Sequence, residues 1–168
     1  ILPDRQWVSL TDRIRIICIA DYNQDGVLLI DINGRLLFNM NDAGDKGWFR
    51  SVKKIVKDYD VSFLLRGSGL ADMANFYDED DTFVSPIILP SGPYLANLAE
   101  NFGVRYYIPF SANHYNQRRD SAWAEVYATP YSDYAIDFNS SKCTILPPFI
   151  RYNCGDDTSE EIPTLTAL

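Results

Sequence analysis

The sequence predicts an α/β fold, and three observations carry that reading. β-Branched apolar runs recur early in the chain, as Ile14-Arg15-Ile16-Ile17-Cys18-Ile19 and again from Val27 to Ile32. From Asp45 the apolar period lengthens to that of a helix, with Trp48, Val52, Ile55, Val56 and Tyr59 on one face. Val61-Ser62-Phe63-Leu64-Leu65, which reads as a buried strand, then follows the helix and makes a β-α-β unit.

The 168 residues suit one domain, and 46% hydrophobic content is enough to build a core. A net charge of -8 opposes binding to nucleic acid or to an anionic membrane surface, both of which need a basic face. Cys18, Cys143 and Cys154 are odd in number and lack CxxC spacing, so neither a disulfide framework nor a zinc ribbon is indicated. A cytoplasmic setting is the simplest expectation. No stretch is long and apolar enough for a membrane span, and the first residues lack the pattern of a signal peptide. No initiator Met opens the chain, so a processed piece or part of a longer protein is expected.

Taken in order, Trp7 to Ala20 reads as polar-apolar alternation turning into a strand. Asp21, Asn23, Asp25 and Gly26 imitate the opening of a calcium loop, but position twelve is Ile32 where a bidentate Glu belongs. A tight turn at Asp25-Gly26 is preferred, and Asn33-Gly34 is a second hairpin signal. Three strands therefore form a meander that ends at Asp42. In the helix that follows, Arg50, Lys53, Lys54 and Lys57 lie off the apolar face and read as solvated. Arg66-Gly67-Ser68-Gly69 closes the next strand as a plain turn, without a Walker lysine or dinucleotide pattern. Asp78 to Asp81 is an acidic loop. Tyr94 to Gly103 reads as a helix with Pro93 near its start, and Val104 to Phe110 as a strand. Residues 1–152 form the domain, and the acidic stretch 153–168 reads as a mobile tail.

Two places concentrate chemistry. The apolar run Leu36-Leu37-Phe38-Asn39-Met40 delivers Asn41-Asp42 to a strand terminus, where Asp42 has two uses open to it. It, or Asp45, caps the next helix, or it ligates a metal. The second place is the segment after Phe110, with Ser111, Asn113, His114, Tyr115, Arg118, Arg119, Asp120 and Trp123, because strand ends of layered α/β folds are where ligands sit. His114 is either a ligand or an ordinary structural histidine. Arg118 and Arg119 would suit a phosphate or carboxylate, and would equally pair with Asp120 or Glu125. Trp123, Tyr127 and Tyr131 line a pocket or fill a core. No Ser-His-Asp assembly can be argued from the spacing.

The order of these elements, with the strings Asn39-Met40-Asn41-Asp42 and Ile108-Pro109-Phe110-Ser111, resembles the second half of a metallo-β-lactamase-fold domain. The branch is the one that includes ascorbate-6-phosphate lactonase-like and CMP-N-acetylneuraminate hydroxylase-like proteins, and the likeness covers about residues 14–125. It implies an αββα sandwich of which this chain holds only part, with metals at one edge of the sheets. By resemblance Asp42 matches the strand-terminal carboxylate that can bridge two metals, and His114 lies near the place of a final histidine ligand. The divalent metal is expected to be zinc, with manganese or iron as alternatives. A small-molecule, potentially anionic substrate is expected, with metal-activated hydrolysis as the default chemistry and a di-iron oxygenase as a variant. The family's His-x-His-x-Asp-His cluster cannot be present, since the chain has one histidine. Either the other ligands lie on a missing N-terminal half or companion chain, or the site takes a harder ion, or the domain is a non-catalytic binding or assembly module.

Overall fold

A computed structural model describes residues 2–22, 25–44, 47–67, 77, 80, 82–83, 91–110, 118–128 and 130–162. Its centre is a seven-stranded mixed sheet in sequential order. The strands are β1 (Val8–Ser9), β2 (Ile14–Ala20), β3 (Gly26–Ile32), β4 (Arg35–Asn41), β5 (Val61–Arg66), β6 (Tyr106–Pro109) and β7 (Thr144–Ile145). β1 to β4 pair antiparallel, and β4 to β7 pair parallel. The expected meander and the β-α-β unit are both present, so the mixed α/β class holds. Asn33 and Gly34 turn β3 into β4 with φ of 50° and 77°, the left-handed pair that an Asn-Gly hairpin turn uses.

Helix α1 (Phe49–Val56) connects β4 to β5, and α2 (Ser91–Phe102) connects β5 to β6. Both cover the same sheet face. Ile17, Ile19, Val27, Leu29, Leu36, Phe38, Met40, Leu64 and Tyr107 point into that face and are buried with Trp48, Val52, Val56, Leu95, Ala99 and Phe102. Phe38 is its aromatic centre, edge-on to Trp48 at 5.9 Å and to Phe102 at 5.0 Å between ring centroids. A short helix, α3 (Tyr131–Ala135), packs against α2. Gly92 allows the approach, because a Cβ there would overlap the carbonyl oxygen of Ile136.

The opposite face is as apolar and less covered. Ile14, Ile16, Cys18, Leu28, Ile30, Ile32, Leu37, Leu65 and Ile108 alternate with the core residues along their strands, and each is only half-buried. Val61 and Phe63 are the exceptions, at 2% and 3% exposure. Phe63 is roofed by Tyr152, whose ring meets it edge-on at 4.6 Å.

Tyr152 belongs to a hairpin of β8 (Ile150–Asn153) and β9 (Thr158–Glu161). Residues 153–161, within the stretch expected as a tail, belong to this hairpin. Composition pointed to solvent, but the hairpin is tied down by the Tyr152 ring and by Asp157. The Asp157 carboxylate accepts from the Tyr152 hydroxyl at 2.7 Å and lies 3.4 and 3.6 Å from Arg35 and Arg105.

Candidate functional site

The parallel strands β4, β5 and β6 end at one edge of the sheet, and hydrogen bonds hold those ends in line. The Gly67 amide donates to the Asn41 carbonyl at 2.7 Å, and the Phe110 amide donates to the Arg66 carbonyl at 2.9 Å. With strands about 4.8 Å apart, the ends of β4 and β6 lie roughly 10 Å from each other. Such an edge is where open α/β sheets bind ligands.

Asp42 reaches this edge through a local irregularity. The β4–β5 register shifts between Asn39 and Asn41, and Asn41 takes a left-handed φ of 47°. Asn tolerates that conformation better than other side-chain-bearing residues, and a bulge of this kind re-aims the residue after it. The Asn41 amide side chain donates to Asp42 Oδ1 at 2.7 Å, leaving the exposed carboxylate with further acceptor capacity. Asp42 does not cap α1. The N-cap is Trp48, with no side-chain cap bond, and the Trp48 indole instead donates to the Gly44 carbonyl at 2.9 Å. Asp45 lies outside the described residues.

Ser111, Asn113, His114 and Tyr115 also lie outside the described residues, although Phe110, immediately before them, stands on the same edge as Asp42. Arg118 and Asp120 form a surface ion pair at 2.8 Å with side chains 82% and 68% exposed, and Arg119 is exposed. Pairs so exposed contribute little stability. Trp123 is half-buried and donates its indole N–H to the Asp120 carbonyl at 2.9 Å. Its ring sits edge-on to Phe83 at 5.4 Å and Tyr77 at 6.1 Å, with Tyr127 alongside at 6.5 Å. These aromatics clasp the segments that follow β5 and β6. Tyr131 is half-buried at the start of α3, and burial raises its phenol pKa, with the charge of Glu161 adding to the rise.

Sequence reading passed over one residue at this edge. Arg66 ends β5, where the sequence predicts a plain turn, and its guanidinium lies half-buried under α2, with Cζ 5.9 Å from the centroid of the Tyr94 ring. A cation closing a buried, mainly apolar strand was the available signal.

A second polar cluster occupies the far end of the helix-covered face. Asp31 Oδ2 accepts from Arg15 Nε at 2.8 Å and from the Tyr59 hydroxyl at 2.9 Å, and Oδ1 accepts from the Gly34 amide at 2.8 Å. Burial pushes the Asp31 carboxyl up, but the bonds from Arg15, Gly34 and Tyr59 outweigh it and hold its pKa below the usual value. Burial, followed by the bond to Asp31, raises the Tyr59 phenol. A hollow of about 210 Å³ adjoins this cluster. Because both oxygens of Asp31 already accept bonds from Arg15, Tyr59 and Gly34, the cluster reads as a clasp between the meander and the end of α1.

Among the described residues no group of three His, Cys, Asp or Glu comes together to hold a metal. A zinc site ordinarily takes about three protein ligands rich in imidazole or thiolate. Asp42 alone, or joined by the single histidine, does not complete that set. Among the described residues no helix is long and apolar enough to cross a membrane. No protein-family model matches the chain, and no curated protein matches it.

Proposed function

We propose that this chain is one layer of a metal-dependent hydrolase of metallo-β-lactamase type, acting on a small molecule at the edge where β4, β5 and β6 end. Asp42 is one ligand of its divalent metal, with zinc first and manganese or iron next. The remaining ligands come from a second layer, a sheet packed on the half-covered face of this one, carried by a companion chain or by a longer form of the polypeptide.

One observation carries the reading. The sheet is apolar on both faces, but among the described residues helices cover only one of them, while a carboxylate with spare acceptor capacity stands at the strand edge. An antiparallel meander meant for water on one side would alternate apolar with polar residues. Here Ile14, Ile16, Leu28, Ile30 and Leu37 take the places where polar residues would stand. Sheet-on-sheet packing at about 10 Å would bury them, and the same layer would complete the short donor set.

Metal analysis of the purified full-length protein tests the proposal. Stoichiometric zinc, manganese or iron that is lost in Asp42→Ala supports it. A stably folded protein without bound metal would reassign the domain as a binding or assembly module.

A further inference from the structure

We infer that Arg66 is an anion-binding residue, which receives a carboxylate or phosphate group of a small-molecule ligand at the edge of the sheet where β4, β5 and β6 end. The inference concerns a different group from Asp42 and would hold without a metal.

Its basis is an uncompensated charge. Two described arginines are half-buried, Arg35 and Arg66. Arg35 faces Asp157 at 3.4 Å, whereas no described carboxylate forms an ion pair with Arg66. Nη1 of Arg66 donates to Met40 Sδ at 3.1 Å and to the Ala43 carbonyl at 3.4 Å, one a weak acceptor and the other a long contact. Its Nε is buried with no acceptor. A guanidinium partly withdrawn from water without an anion is costly, and this chain holds 23 acidic residues from which a partner could have been drawn.

The surroundings orient the cation toward a ligand. The Tyr94 ring packs over the guanidinium, and Tyr94 itself is 57% exposed, so the cation lies beneath a surface residue. Tyr94 sits in the first turn of α2, which has no acidic residue, so the positive end of the helix dipole adds to the field. A planar fork of donors suits carboxylate and phosphate oxygens, which bind it two at a time.

The test follows the Arg66 Nε–Hε NMR signal of the full-length protein while inorganic phosphate or succinate is added. A saturable shift with one or both anions is expected, and the more effective one identifies the ligand class. Arg66→Gln should weaken binding of that anion at least tenfold by calorimetry, with Arg66→Lys intermediate. An unmoved Arg66 signal with both anions overturns the inference, as does unchanged affinity in Arg66→Gln. If Arg66→Gln does not fold, the wild-type signal still decides. Because the readout is Arg66 itself, a negative result leaves the Asp42 metal assignment standing, and loss of that assignment leaves this one standing.

Discussion

The two faces of the central sheet are built from the same strands and carry side chains of the same kind. On one face Leu29, Leu36, Phe38 and Leu64 have no measurable exposure, sealed by Trp48 and Val52 from α1 and its approach and by Leu95 and Phe102 from α2. On the other, Leu28, Ile30, Leu37 and Leu65 are neighbours of those residues in sequence and remain half-buried. Coverage therefore depends on what crosses over the strands, since residue type is nearly constant between the faces. Where a cover exists on the second face, at Tyr152 over Phe63, burial rises to core levels. The half-buried remainder, which no described helix covers, is the feature that the proposed second layer explains.

The largest test of this contrast is a matched pair of truncations. Phe38→Ala removes the centre of the sealed face and should cost about 3–5 kcal/mol in chemical denaturation. Ile30→Ala, on the open face, should cost about 1–2 kcal/mol in this chain alone, because less apolar area returns to water. In a full-length or assembled protein the second value should climb toward the first. Equal costs in both settings would remove the argument for a second layer.

A smaller effect is expected at the clasp on the sealed face. Asp31→Asn loses charge-assisted bonds from Arg15 and Tyr59 and should destabilise by about 1–3 kcal/mol at pH 7. Its pH dependence has a definite sign. The folded Asp31 carboxyl has a pKa below the unfolded value of about 3.9, so its contribution is complete above that value and disappears as pH falls through the folded pKa. Wild type and Asp31→Asn should therefore converge in acid denaturation, and parallel curves down to the lowest pH would contradict the assignment. The smallest effect is expected from Tyr152→Phe, which keeps the ring over Phe63 but removes the bond to Asp157. Amides of the β8–β9 hairpin should exchange faster with solvent, with the global unfolding midpoint unchanged.

Much of the scaffold was legible because its signals are local. The Asn33-Gly34 turn, the helical face of Trp48, Val52 and Val56, and the unbroken run at Val61 each fix their own element, and the observed bounds differ by a few residues at the ends. The hairpin at 150–161 was not legible, since its strands are polar and its support comes from Phe63, Arg35 and Arg105, distant in sequence. The place of Asp42 at a strand end was legible from the apolar run before it. What the sequence could not say is that a bulge at Asn39 to Asn41, and no helix cap, governs its setting. Arg118 drew attention as a cation in a polar segment, yet it sits on the surface with Asp120, while Arg66 is the cation held under a helix.

The sequence by itself determined the alternation of strand and helix, the apolar character of both sheet faces, and the delivery of an acidic residue to the end of β4. Periodicity and turn chemistry act over a few residues, so they can be read directly from the chain. Only the tertiary structure decided which face the helices cover, which carboxylate each arginine meets, and that Arg66 meets none among the described residues. Those outcomes depend on segments far apart in the chain arriving side by side, and burial and ion pairing are properties of that arrival.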